Sequence, residues 1–470
     1  MADLVHRRRI AAARAAAALA VLIGLTMASG QARALDLAGP DPSLPGASGA
    51  TAASSFHVRG FVLNPALMGF GGLTRRGLRL SAGMTMDSRR ATTQRLADER
   101  MDTAQSPLDP RVLPHVTAVG SIGLVHLTAG AWYEEKSGAT VWFPGQDPDD
   151  PLVPSAYDRQ RYGSLAYDLR RHHFGLALAW RPLDWLALGA AVGAQWLSLD
   201  HRRILATGVS GNEETPWADL ESRVALKARF VPLGLFGLVV RPVRWLRLGL
   251  AFEVSAVARL EGTALLQPAR PDGWAVVPSG EATAALRLRL PWVVRAALGV
   301  DLGRVSVDVA GSLTDRPTPR SLTATARGLQ VQPVTWQPDI VEVNELSLGI
   351  VVRRRLALAA TVRVALVPRR LFVSVGYGFT QGQADPRYRS AALVAPDRHL
   401  AALGVCFRRG PLRVDVGYVR VQAVATGSTG LALQTHLVDP EAAVSIASGR
   451  QSLSGDLATA TVTIDMDFTN

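Results

Sequence analysis

Four histidines are the first candidates for chemistry: His115, His126, His172 and His173. As bases they would need a serine nucleophile and an orienting group within reach. No Gly-x-Ser-x-Gly run occurs in the chain, and the histidine spacing fits no metal site. No glycine-rich phosphate cradle is present either. No catalytic residue, metal or cofactor is therefore expected, and the chain is read as a non-enzyme. The chemistry that remains is electrostatic. Arg287, Arg289 and Arg295 fall on the polar phase of one long alternating segment. Guanidinium groups so placed can hold a carboxylate by paired hydrogen bonds. They can equally tie neighbouring parts of the chain together through Asp308, Glu253 or Asp415. The second role is preferred, because ion pairs are common in a polar barrel interior.

The elements that carry these residues alternate with period two. Leu78, Leu80, Ala82, Met84 and Met86 interleave with Arg79, Ser81, Gly83, Thr85 and Asp87. Strand side chains point to opposite faces in turn, so one face is greasy and the other polar. Ala458, Ala460, Val462, Ile464, Met466 and Phe468 repeat the pattern near the end. The even positions of 286–300 hold one apolar phase throughout, from Leu286 to Val300. Such runs exceed the usual strand of about 5 to 6 residues and suit the roughly 9 to 11 of an oblique bilayer crossing.

Connections come in two kinds. Very short ones, such as Pro182-Leu183-Asp184, Pro242-Val243, Leu302-Gly303, Pro368-Arg369 and Arg409-Gly410, alternate with long polar stretches at 88–112, 136–170, 201–220, 261–281, 315–340, 380–399 and 426–456. Short turns at one end and long loops at the other mark a transmembrane barrel. The count is about fourteen strands, an even number as single-chain bacterial barrels have. Strand ten is interrupted by Arg353, Arg354 and Arg355, a candidate bulge. Trp185 and Trp245 follow two similar turns, where an interfacial aromatic belt would lie. The expected fold is an all-β, transmembrane, antiparallel β-barrel of residues 77–470.

The first 34 residues read as a signal peptide: a basic head, an apolar run, then Ala32-Arg33-Ala34 as a cleavage site. Its removal lowers the formal charge from +12 to +8 by taking away five arginines and one aspartate. The remaining arginines are dispersed and form no basic block, so nucleic acid is not an expected partner. The expected location is the cell outer membrane of a Gram-negative-type envelope. The partners there would be outer-membrane lipid, lipopolysaccharide and the barrel-assembly machinery. Cys406 is the single cysteine, so no internal disulfide can form.

Residues 35–76 do not alternate. A Gly/Ala/Ser stretch at 46–55 leads into Phe56-His57-Val58-Arg59-Gly60-Phe61-Val62-Leu63 and then Asn64-Pro65-Ala66-Leu67. The segment is too apolar for a loose tail, and a barrel this wide must be filled or open. A plug, or hatch, in the lumen is the expectation.

Small residues leading into Asn64-Pro65-Ala66-Leu67 just before the first strand resemble the long-chain fatty acid outer-membrane transporters, the FadL-like family. Leu286-Arg287-Leu288-Arg289-Leu290-Pro291 before Leu298-Gly299-Val300 resembles that family's Leu-Pro strand. The segments Gly376-Tyr377-Gly378-Phe379 and Val416-Gly417-Tyr418 resemble its late Gly-Tyr strands. The resemblance covers nearly the whole mature chain. It implies a fourteen-stranded barrel with an N-terminal hatch that includes Phe61, Asn64, Pro65, Ala66 and Leu67. It also implies passive uptake of hydrophobic molecules, long-chain fatty acids or aromatic hydrocarbons, by a monomer. In that family the third and fourth outer loops form the capture groove. Here they offer Ile204, Leu205, Val209 and Trp217, and Leu265, Leu266, Trp274, Val276 and Val277, as substrate contacts. A polar-solute porin, with Arg247, Arg287, Arg289 and Arg295 at its constriction, is the alternative. An outer-membrane barrel lipase is a weaker one.

Overall fold

The computed structural model describes residues 60–70, 77–97, 100–105, 110–121, 126–142, 164–205, 219–269, 276–315, 321–332, 340–351, 355–381, 397–423, 426–427, 431–435, 443–447 and 449–467. Fourteen antiparallel strands form a closed wall. They are β1 (Gly77–Ala97), β2 (Arg111–Ser121), β3 (Leu127–Trp142), β4 (Ser164–Leu183), β5 (Leu186–Leu205) and β6 (Leu220–Val243). Next come β7 (Leu246–Ser255 continued by Val257–Pro268), β8 (Glu281–Arg289 continued by Trp292–Asp301) and β9 (Val305–Asp315 continued by Ser321–Gln332). The set ends with β10 (Val341–Val351 continued by Arg355–Val367), β11 (Leu371–Thr380), β12 (Arg398–Arg409), β13 (Leu412–Ala423) and β14 (Gly449–Asp467). Each pairs with its successor, and β14 pairs with β1 from Gly77↔Asp467 to Arg95↔Gly449. Closure leaves no open edge along this ladder.

The alternation explains the wall. On β1, Leu80, Met84 and Met86 are exposed while Ser81, Thr85 and Asp87 are buried. On β14, Val462 and Ile464 are exposed while Thr459, Thr461 and Thr463 are buried. The outer belt is thus apolar and this part of the lumen polar. One end of the barrel has tight turns, with Gly303 (φ 84), Arg369 (φ 63) and Gly410 (φ 58) left-handed. The two similar turns are tied alike to the next strand: the Arg241 N–H of β6 donates to the Trp185 carbonyl (2.6 Å) and the Asp301 N–H of β8 to that of Trp245 (2.7 Å). Both tryptophans are exposed there.

The strands run further toward the long-loop end than greasy alternation indicates. β1 continues to Ala97, β3 to Trp142, and β14 begins at Gly449. Ser321–Gln332, expected as part of a loop, is the upper half of β9. Its ladder to β10 shifts register twice. Arg355 opens the second half of β10, and residues 352–354 lie outside the described set.

Strands β6 to β8 depart from the single-phase expectation. In lower β6, Leu233, Leu235 and Val239 are buried and Phe236 is exposed. Between Gln195/Leu197 on β5 and Val231/Ala228 on β6 one extra residue is inserted, a β-bulge. Arg229 and Phe230 are consequently both exposed, and above them the even residues Leu220, Val224 and Leu226 are the buried ones. β7 reverses at Ala256, where Ala256 and Val257 are both exposed. β8 reverses at Leu290-Pro291, between its two halves. Proline has no N–H for the ladder, which makes it a natural break. The apolar phase of 286–300 therefore faces outward only in its second half. Leu298 is 38% exposed, whereas Leu286 and Leu288 are 3% and 2% exposed.

Candidate functional site

The site is built around a short N-terminal segment inside the lumen, near the tight-turn end. Gly60–Leu63 forms one helical turn, α1, and Pro65–Phe70 a 3-10 turn. Asn64, fully buried, joins them. Its Nδ2 donates to the carbonyls of Leu238 on β6 and Leu250 on β7, both at 3.3 Å. Its Oδ1 accepts the Ala66 N–H at 3.1 Å. A primary amide donates and accepts at once, which the neighbouring carboxylate or aliphatic types cannot do. The wall makes room with glycines. A Cβ at Gly189 would lie 2.2 Å from Ala66 N, and one at Gly237 2.0 Å from Asn64 Oδ1. Phe61 meets Trp132 edge-on (6.1 Å between centroids, 81°), and Phe61, Val62 and Met68 join one apolar cluster with Val119, Leu233 and Leu235. Leu67 and Ala66 pack on Ala187 and Val239. Phe61, Asn64, Pro65, Ala66 and Leu67 are all buried.

Around and above this segment the inner wall is polar and cross-linked. Arg295 pairs with Glu253, Arg247 with Asp308 (3.8 Å) and Arg413 with Asp415 (2.7 Å). Arg171 donates to Gln195 (2.7 Å), which donates to Ser255 (2.9 Å). His115 lies 3.0 Å from Thr461. His172 hydrogen-bonds Tyr133 at 3.0 Å on the outward phase, and His173 lies 4.0 Å from Glu134 inside.

Toward the long loops the interior changes character. β5 shows the change on one face: Ala187 packs on the N-terminal segment, then Gln195, then Leu197, Leu199 and Leu205 follow on the same phase, with His201 and Arg203 buried between the last two. Cross-strand pairing carries that face round the wall: Leu205↔Leu220, Leu199↔Leu226, Ser222↔Leu266, Leu260↔Leu286 and Ala284↔Ala326. Apart from Ser222, these side chains form one buried apolar cluster that also takes in Leu288, Leu329 and Leu346. Leu226, Leu260, Leu288 and Leu329 are each 2% exposed or less. Across the lumen Leu400, Val419, Val421 and Leu457 form a smaller cluster. An open aqueous pore would leave such side chains wet. Here they are dry.

The expected contacts sort by face. Leu205 and Leu266 belong to the inner cluster, while Leu265 is 38% exposed on the outer phase. Ile204 is buried (1%). Val276 begins a short strand, Val276–Ser279, and Val277 packs against the inner cluster. Val209, Trp217 and Trp274 lie outside the described residues. Arg295 is on the inner face with Glu253. Arg287 and Arg289, expected in the lumen, are exposed on the outer face, because β8 reverses at Pro291. The inner leucines Leu226, Leu260, Leu286 and Leu288 were not among the expected contacts. Their signal was present in the partners: a strand phase holding Arg229, Arg259, Arg287 and Arg289 is a poor lipid face, so the leucine phase must turn inward.

Solved structures share this architecture. A Pseudomonas aeruginosa FadL homologue matches with a TM-score of 0.64 at 16% identity, covering 92% of this chain and 99% of its own. The Pseudomonas putida toluene transporter TodX matches with 0.65 at 14% identity, covering 93% and 100%. The Ralstonia pickettii toluene transporter TbuX matches with 0.61 at 14% identity, covering 91% and 98%. The chain has the FadL-type fold. No family model and no curated relative matches the sequence. The FadL-type likeness is thus one of barrel and strand order, reached with few shared residues.

Proposed function

We propose that this chain is an outer-membrane passive uptake channel for hydrophobic molecules, and that the N-terminal segment is its hatch. The observation that carries the reading is the buried leucine cluster around Leu260 and Leu288, set toward the long loops from the buried N-terminal segment. An apolar ligand entering that cluster leaves water at roughly 25 cal/mol per Å² of surface removed. Arg295 and Arg413 on the inner wall are held by Glu253 and Asp415. The exposed greasy belt of Leu80, Met84, Phe236 and Val462 supports a bilayer setting. The FadL-type fold supports the same class, as the solved neighbours include toluene transporters. Movement of Gly60–Phe70 away from Gly189 and Gly237 would open the lower level. Passage then needs only a concentration gradient. Aromatic hydrocarbons and fatty acids are both substrates of the expected kind, with Leu205, Leu266 and Val277 among the contacts.

The test is uptake of radiolabelled toluene and of oleate by cells lacking their own channels, with planar-bilayer recordings of the purified protein. Saturable uptake of either ligand with little steady current supports the reading. A large ohmic current carrying polar solutes, with no hydrophobic uptake, overturns it in favour of a porin.

A further inference from the structure

The phase reversal that turns leucines inward also turns arginines outward. Arg287 on β8 lies directly opposite Arg259 on β7. Two residues on from the pair Lys227↔Glu261, the register brings Arg229 of β6 level with Arg259. Three arginines on three adjacent strands thus form one row on the outer wall, and all three are exposed. Neighbouring strands are about 4.8 Å apart, so the row is about 10 Å wide. Like charges directly opposite each other repel. Among the described residues no carboxylate pairs with Arg229, Arg259 or Arg287; Glu261, two residues along from Arg259, stands opposite Lys227. Arg289 extends the basic face on β8. On the other side of the row the wall is greasy at once: Phe230 is 67% exposed, Val257 46%, Val254 41% and Phe252 39%.

We infer that this row is a binding site for a phosphorylated lipid of the leaflet at the long-loop end, with its acyl chains on Phe230, Val254 and Phe252. Guanidinium groups match phosphate oxygens two bonds at a time. A row about 10 Å wide has room for a head group carrying two phosphates. Anion binding relieves the repulsion within the row, and the adjoining apolar surface selects a lipid over a free anion. The inference rests on the outer-membrane reading but not on what passes through the lumen.

The experiment uses the whole mature chain in a non-ionic detergent, titrated with bisphosphorylated lipid A and with its fully dephosphorylated form. Native mass spectrometry reads the bound fraction. The wild type is expected to prefer the phosphorylated lipid by about ten-fold or more. The R229Q/R259Q/R287Q variant is expected to lose that preference. A control triple, R244Q/R304Q/R369Q at the tight-turn end, is expected to keep it. Heat-modifiable gel migration verifies that each barrel is folded. Equal binding by the row variant and the wild type overturns the site, as does full competition by millimolar inorganic phosphate. Hydrocarbon uptake by the row variant separates the two readings. Uptake retained with phosphate preference unchanged removes the lipid site alone. Uptake absent in wild type and variant alike, with the preference lost only in the variant, removes the transport reading alone.

Discussion

Two regions of one wall use the same period-two code to opposite ends. Along the β1–β14 seam the register runs from Gly77↔Asp467 to Arg95↔Gly449 without a shift. Grease stays outside and threonines stay inside throughout its lower half. Across β6, β7 and β8 the faces exchange partway up, through a bulge near Arg229, an irregular residue at Ala256 and Pro291. The seam makes a plain wall with a polar lining. The reversing strands make a wall whose upper lining is leucine and whose upper exterior is arginine. One-residue irregularities thus change what the lumen can hold without altering strand number or closure.

The largest effect should come from placing a charge in the reversed lining. Leu288, 2% exposed, faces the inner cluster. Leu288→Asp leaves a carboxylate there without a partner, at a cost of about 3 kcal/mol or more, which is about a hundred-fold in an equilibrium constant. Hydrophobic ligand binding, read by displacement of a fluorescent fatty-acid analogue, should fall by that order. The corresponding change in the seam, Thr463→Asp, sets a carboxylate opposite Arg413 in a lining that already holds Asp415, and should leave binding within about two-fold. Equal losses in the two variants would erase the distinction between the regions.

Next in size is eviction of the N-terminal segment. Gly189→Leu puts a side chain where Ala66 N stands 2.2 Å from the built Cβ. Either the segment leaves or the strand distorts. Planar-bilayer conductance should rise well above wild type while the folded barrel persists in heat-modifiable gels. Unchanged conductance would mean that the segment does not limit the lower lumen. Asn64→Ala is a milder version. It removes two donor contacts to β6 and β7 carbonyls and leaves those carbonyls for water, a loss of about 1 to 3 kcal/mol in seating. Frequent brief openings are expected in place of a steady current.

How much of this was legible beforehand follows from the same contrast. The β1 and β14 segments announce themselves because Leu80, Met84, Val462 and Ile464 must meet a greasy exterior while Thr85 and Thr461 must not. The tight turns are legible from Gly303 and Gly410, whose left-handed backbone suits glycine. Asn64 and its neighbours are legible as a buried segment because their pattern is apolar without being periodic. The lower faces of β7 and β8 follow the same logic. What the alternation cannot report is absolute direction. Leu286, Leu288 and Leu290 continue the phase of Leu298, so a period of two alone contains no sign of a reversal at Pro291; only the partners Arg287 and Arg289 carry one. Ser321–Gln332 escaped for a related reason. Its inner Ala324 and Ala326 alternate with Thr323 and Thr325, a contrast too weak to read as a strand.

The smallest effect belongs to the seam and sharpens the comparison from its quiet side. Thr85 and Thr459 are 1% and 3% exposed, and their hydroxyls are 3.3 Å apart across the closing ladder. Thr85→Val alone removes one hydrogen-bond partner from the Thr459 hydroxyl, at about 1 kcal/mol. The double change to valine keeps shape and removes both polar groups, so it should restore most of that loss. The urea midpoint of unfolding in detergent measures both. If the seam is held by its unbroken backbone register, the double variant unfolds close to wild type and hydrophobic ligand binding does not move. A double variant as weak as, or weaker than, the single one would show instead that the threonine lining itself holds the closing seam. The polar lower lumen would then be as specific a structure as the leucine level above it.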